Sequence, residues 1–200
     1  MQFKTGAVLA AMIALQGCTS WKTDYPDTLT SEVTAGWHID EVNVFVPDDL
    51  TTTEENRMFP RADVVWHGEA LGDRFEQVAA ILDEGITKGT LSLTGPRHMD
   101  LDVRLVEFHA VSPIAVSRAP TAVHNIQFVI HARDNITGEI VAGPDMIVAQ
   151  IEAYTGAFAA AAAAEGRGQR VRIVEHLEQV TKGWLDAGDD VRRDFSQIGL

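Results

Sequence analysis

Apolar positions along this chain follow two periods, and the changes between them outline a fold. Val42, Val44 and Val46 are separated by Asn43 and Phe45, the period-2 pattern of a strand, and Pro47 ends it. After a polar loop over 48–62, Asp63-Val64-Val65-Trp66 predicts a second, short strand. From Gly72 to Lys88 the spacing becomes helical: Phe75, Val78, Ala79, Leu82 and Ile86 share one stripe, and Gly89 stands where a C-cap is expected. Alternation returns with Leu101, Val103 and Leu105 over 99–111, and again with Ile126, Phe128, Ile130 and Ala132. Asp134-Asn135-Ile136-Thr137-Gly138 predicts a hairpin turn. The returning strand carries Ile147, Ala149, Ile151 and Ala153, with a break expected at Gly143-Pro144. Ala157 to Ala164 is almost pure alanine and predicts a short packed helix. The most regular helix covers 169–187, with Ile173, Leu177, Val180 and Trp184 on one stripe and Gly188 at its end.

Strand, strand, helix, three strands, helix is the order of an α+β fold. We expect a single antiparallel or mixed sheet of about five strands, with two amphipathic helices on one face. The domain is expected over 37–187. Residues 18–36 contain Pro26, Gly36 and several Ser and Thr and read as a polar tether; 188–200 reads as a fraying tail. A chain of 200 residues with 46% hydrophobic and 22% charged content fits one globular domain. At that length roughly 70% of the unfolded surface is buried, so no disulfide or metal is needed for stability.

The N-terminus has a different character. Met1 to Lys4 is short and basic, and Thr5 to Leu15 is uncharged and apolar, ending at Leu15-Gln16-Gly17-Cys18. The apolar stretch is far below the ~20 residues of a spanning helix, and its layout is that of an export signal. Its ending resembles the bacterial lipobox, from which Gln16 departs by its size. Cys18 is the one cysteine, so no internal disulfide can form. The lipobox resemblance implies that residues 1–17 are a signal peptide. Cys18 then receives diacylglycerol on its thiol and a further acyl chain, such as palmitate, on its new amino group. Each buried methylene contributes about 0.8 kcal/mol, and two chains suffice for stable anchoring. The expected location is the cell envelope, lipid-anchored and facing the periplasm. Thr19, where an aspartate would favour inner-membrane retention, points to the outer membrane.

Charge removes whole classes of partner. The formal net charge is −13, and loss of residues 1–17 takes away Lys4 and no acid, leaving −14. That balance repels nucleic acid and gives no general attraction to anionic bilayers. Candidate chemistry is sparse. His98, Asp100 and Asp102 alternate on one strand and so share a face, a set that can ligate Zn or Mn, although a solvated face has the same alternation. His67, His109, His124, His131 and His176 match no ligand motif, and neither a nucleophile elbow nor an activated cysteine is present. No cofactor or resident metal is expected. Arg167, Arg170 and Arg172 enter the N-terminal turn of the last helix, where free N–H groups favour a phosphate or lipid headgroup.

Several segments taken together carry a resemblance: Asp63-Val-Val-Trp66, Gly72-Asp-Arg-Phe-Glu-Gln-Val78, Phe108-His109-Ala110, Val123-His-Asn-Ile126, Thr137-Gly-Glu139 and Val171-Arg-Ile173. Over 37–187 they resemble an uncharacterised family of small alphaproteobacterial lipoproteins, which implies no established activity. The function expected is therefore a non-catalytic binding or accessory module for an envelope partner, protein or lipid. The alternative is a hydrolase or metal-dependent enzyme working from the His98/Asp100/Asp102 face.

Overall fold

The computed structural model describes residues 21–195; the expected signal peptide and Cys18 lie outside the described residues. The chain runs β1 (Trp21–Asp24), α1 (Ser31–Thr34), β2 (Trp37–Phe45), β3 (Val64–Val65), α2 (Arg74–Thr90), β4 (Arg97–His109), α3 (Pro113–Arg118) and β5 (Ala122–Asp134). It continues through β6 (Ile140–Ala149), β7 (Ile151–Ala153), α4 (Gly156–Ala164), α5 (Gln169–Trp184) and β8 (Arg193–Phe195). The sheet order is β2-β4-β5-β6-β1-β8, with β3 beside β4 and β7 beside β5. β2 and β3 run parallel to β4, and the other pairs are antiparallel.

One face of this sheet is dry. Leu101, Val103 and Leu105 of β4 lie opposite Ala132, Ile130 and Phe128 of β5, and all are buried. Against them pack Val78, Ile81, Leu82 and Ile86 of α2 and Ile173, Leu177, Val180 and Trp184 of α5 in a continuous core. The stripe expected along α5 faces that core. Its Trp184 Nε1 donates to Asp145 Oδ2 at 2.9 Å, and Thr28 Oγ1 donates to the same oxygen at 2.8 Å. The buried carboxylate thus ties β6 and the segment before α1 to the last helix. α2 starts where Asp73 accepts from the Phe75 and Glu76 N–H groups at 2.9 and 3.2 Å, the geometry of an N-cap.

The sequence-based outline needs four corrections. The fold is α+β with a mixed sheet, but the sheet has eight strands rather than about five. β1 and β8 are only three or four residues long, so each offers too few side chains to show an alternation, and the returning strand read through Ala153 divides into β6 and β7. The segment read as a tether is folded from residue 21 on. Tyr25 and Leu29 are buried, and Tyr25 packs so closely on Gly183 of α5 that a Cβ there would lie 2.0 Å from its Oη. The same hydroxyl donates to Asp190 Oδ1 at 3.0 Å and accepts from the Val191 N–H at 3.2 Å. Those bonds also order the first part of the expected tail, which goes on to form β8 beside β1. Finally, Gly89 lies inside α2 and does not cap it. A Cβ at Gly85 would sit 2.6 Å from Leu177 Cβ, and one at Gly89 would sit 2.5 Å from Thr181 Cβ, so both glycines serve the close contact with α5.

Leu177 fills the centre of that contact and is fully buried. Leu177→Ala should cost about 2–5 kcal/mol, measured by urea unfolding at neutral pH. A variant as stable as the wild type would show that this stripe does not form the helix–sheet interface.

Candidate functional site

The opposite face of the sheet is wet, and the alternation of β4 sends His98, Asp100 and Asp102 to it. The three do not act as a unit. Asp102 accepts from Arg133 Nε at 2.9 Å and Asn43 Nδ2 at 3.0 Å, with His131 Nε2 3.1 Å away. Asp100 lies 3.1 Å from the same Arg133 guanidinium and accepts from Asn135 Nδ2 at 3.0 Å. Arg133, one strand over on β5, therefore holds both carboxylates, and its hydrogen bond pulls Asp102 below the usual carboxylate range. His98 turns the other way, toward β2. Its Nδ1 is 2.8 and 3.0 Å from the two oxygens of Asp40.

The register between β2 and β4 explains that pairing. Trp37, His38 and Ile39 pair in parallel with Arg97, His98 and Met99, but Glu41 pairs with Asp100, leaving Asp40 as an extra residue. This β-bulge places Asp40 between the levels of Met99 and Asp100. The start of the pairing is set by Gly95, whose N–H donates to Trp37 O at 2.7 Å. A Cβ on Gly95 would lie 2.2 Å from the Gly36 carbonyl carbon, so the two backbones could not approach this closely with a larger residue. His38 and His98 consequently stand side by side, ring centroids 5.3 Å apart and inclined at 68°. His38 Nε2 is 3.7 Å from Asp40 Oδ1, and one ligating atom from each of His38, Asp40 and His98 lies within 4.8 Å of the others. Asn135 at the hairpin tip closes the group: its N–H donates to His98 O at 3.0 Å and its Nδ2 to Asp40 Oδ2 at 3.1 Å.

His38 and Asp40 escaped the sequence reading. The alternation His38-Ile39-Asp40 ahead of Val42 was available as a signal, but which strand faced it was not.

The three arginines of the last helix are likewise separated. Arg170 donates from Nε to Glu69 at 2.8 Å and from Nη1 to Glu84 at 2.5 Å, bracing α5 against α2. Arg172 places its guanidinium 3.6 Å above the Tyr154 ring and donates to Glu152 O at 2.7 Å. Arg167 is exposed and lies 3.4 Å from Glu175. Arg167 and Arg172 both line a cleft of about 200 Å³, together with Ala159, Ala162 and Ala163. Gly168, the N-cap of α5, brings no side chain to that turn.

Among the remaining histidines, His124 on β5 is fully buried, and neither ring nitrogen has a hydrogen-bond partner among the described residues. Burial, reinforced by the charge of Arg172, pushes its pKa down to about 3. His176 on α5 lies 3.3 Å from Thr23 Oγ1, and burial together with Arg193 lowers it to about 4. Both are neutral in the folded state at pH 7 and titrate near 6.5 when unfolded. Between pH 6.5 and about 4 the unfolded chain therefore binds more protons, and stability falls as pH falls. The slope reaches up to about 1.4 kcal/mol per pH unit for each histidine. Thermal melts from pH 7.5 to 5 should show this decline, and His124→Phe should flatten it. An equal slope in that variant would remove His124 as a source.

The family of unknown function DUF6778 matches residues 37–199. Among solved structures, the chain is similar to a PelC dodecamer from Paraburkholderia phytofirmans, at 9% identity and a TM-score of 0.37, covering 80% of this chain and 96% of that one. It is also similar to a candidate lipoprotein from Caulobacter crescentus CB15, at 12% identity and a TM-score of 0.32, covering 72% and 89%. No curated protein matches it. The family match spans the sheet from β2 onward together with both long helices, and the chain belongs to the family of unknown function DUF6778.

Proposed function

We propose that this protein is a lipid-anchored module of the bacterial envelope, held through Cys18 and facing the periplasm, most consistent with the outer membrane. Its role is to bind an envelope partner, protein or lipid, and not to catalyse a reaction. The observation that carries this reading is the run from the basic start through the apolar stretch to Leu15-Gln16-Gly17-Cys18. No helix among the described residues is long and apolar enough to cross a membrane. β1 begins at Trp21, three residues past Cys18, and an extended chain covers at most about 3.6 Å per residue. Acyl chains on Cys18 would thus hold the start of β1 within about 11 Å of the modified residue. The leash is short.

Two features support binding over catalysis. Asp100 and Asp102 are both engaged by Arg133, so the face expected of an enzyme has no free carboxylate pair. The cleft lined by Arg167 and Arg172 instead joins two cations to mostly apolar walls, suited to an anionic group carried on an apolar body.

Metabolic labelling with an alkyne fatty acid should mark the wild type and not Cys18→Ser, which should leave the membrane fraction. Labelling and attachment that persist in that variant would overturn the anchor. Arg167→Gln combined with Arg172→Gln should reduce crosslinking to envelope partners while the protein remains folded; undiminished crosslinking would remove the cleft as the contact surface.

A further inference from the structure

We propose that His38, Asp40 and His98 form a binding site for one divalent transition metal ion of the zinc class, with an open coordination position toward solvent. Two imidazoles and a carboxylate are a donor set suited to such ions and poorly suited to Mg²⁺ or Ca²⁺, which take oxygen ligands. The spacing fits. In a tetrahedral site with metal–ligand bonds of 2.0–2.1 Å, ligand atoms lie about 3.3 Å from one another. Here Asp40 Oδ1 stands 2.8 Å from His98 Nδ1 and 3.7 Å from His38 Nε2, and the three ligand atoms all lie within 4.8 Å of one another, a spread that side-chain adjustment about a bound ion can close. The hydrogen bond between His98 and Asp40 is the contact that the ion would replace.

The surroundings prepare the site. Asn135 donates to Asp40 Oδ2 and leaves Oδ1 directed at the histidines, the work usually done by outer-sphere partners of a ligating carboxylate. Arg133 occupies Asp100 and Asp102, so these neighbouring acids do not compete as ligands. All three ligands stand on paired strands, and Asp40 is the bulged residue that follows the paired His38 and His98. The histidine side chains are 45% and 51% exposed, which leaves room for a fourth ligand, a water or a group from a partner. The site does not depend on how the chain is anchored.

The test is Co²⁺ titration of the full chain purified in detergent, followed by visible absorption, with Zn²⁺ displacement and calorimetry in parallel. One Co²⁺ per chain should bind with the strong visible bands of a four-coordinate ion and be displaced by Zn²⁺. His38→Ala and His98→Ala should each weaken binding at least tenfold. His131→Ala, on the same face but outside the group, should not. If either alanine variant loses native circular dichroism, His38→Gln and His98→Gln replace it and should show the same loss. Absence of one-to-one binding at millimolar metal would overturn the proposal. So would retention of binding in the His38 and His98 variants, or an equal loss in His131→Ala.

Discussion

The architecture depends on how closely two helices can approach. α2 and α5 together cover one face of the sheet, and they do so in contact with each other as well as with the strands. Gly85 and Gly89, four residues apart and on one side of α2, remove the Cβ atoms that would collide with Leu177 and Thr181. Without that approach the helices would splay, and the strips beneath Leu177 and Ile86 would open to water. Glycine within a helix costs about 1 kcal/mol relative to alanine, so two of them in one helix need compensation. Burial of Val78, Ile81, Leu82 and Ile86, each worth about 1.5–3 kcal/mol, offsets that cost several times over.

Covering one face leaves the other to be made soluble, and the charges there are organised. Arg133 spans Asp100 and Asp102, His131 and Asn43 complete the shell of Asp102, and Asn135 joins Asp100 to Asp40. Apart from the buried Asp100 these groups are partly exposed, so their pairs add little to folding stability. Their effect is positional. A face made of neighbouring strands in fixed register holds side chains from distant parts of the sequence at hydrogen-bonding distance, and the extra residue at Asp40 adjusts that register locally.

Legibility in the sequence followed element length and contact range. α5 could be read because sixteen residues carry a complete stripe, and the hairpin after β5 because Asp134 and Gly138 mark a turn chemically. β1 and β8 could not be read, since so short a strand shows one or two side chains to each face, and β7 was read only as the end of β6. Gly89 was misread because glycine serves both helix ends and close helix contacts, and only the position of Thr181 separates the two uses. The boundaries at 36 and 187 failed for a related reason: Tyr25 and Asp190 are polar residues in polar stretches, and their bond spans 165 positions. The candidate site was half visible. His98 stood out on an alternating strand, but its partners His38 and Asp40 lie about sixty residues upstream, and parallel pairing with a bulge leaves no local signature.

If Cys18 carries the lipid, the sheet order also sets that attachment apart from the His38/Asp40/His98 group. β1, where Cys18 would attach the lipid, is four strand positions from β2, which carries His38 and Asp40. At about 4.8 Å per position that is about 19 Å along the sheet. β2 ends the sheet path on one side, and on the other β8 pairs with β1 and ends it. A domain leashed through β1 therefore presents its β2 edge farthest from the point of attachment. The polar group beside that edge would then stay in water, clear of the lipid, with β8 at the other end of the sheet beside the attachment.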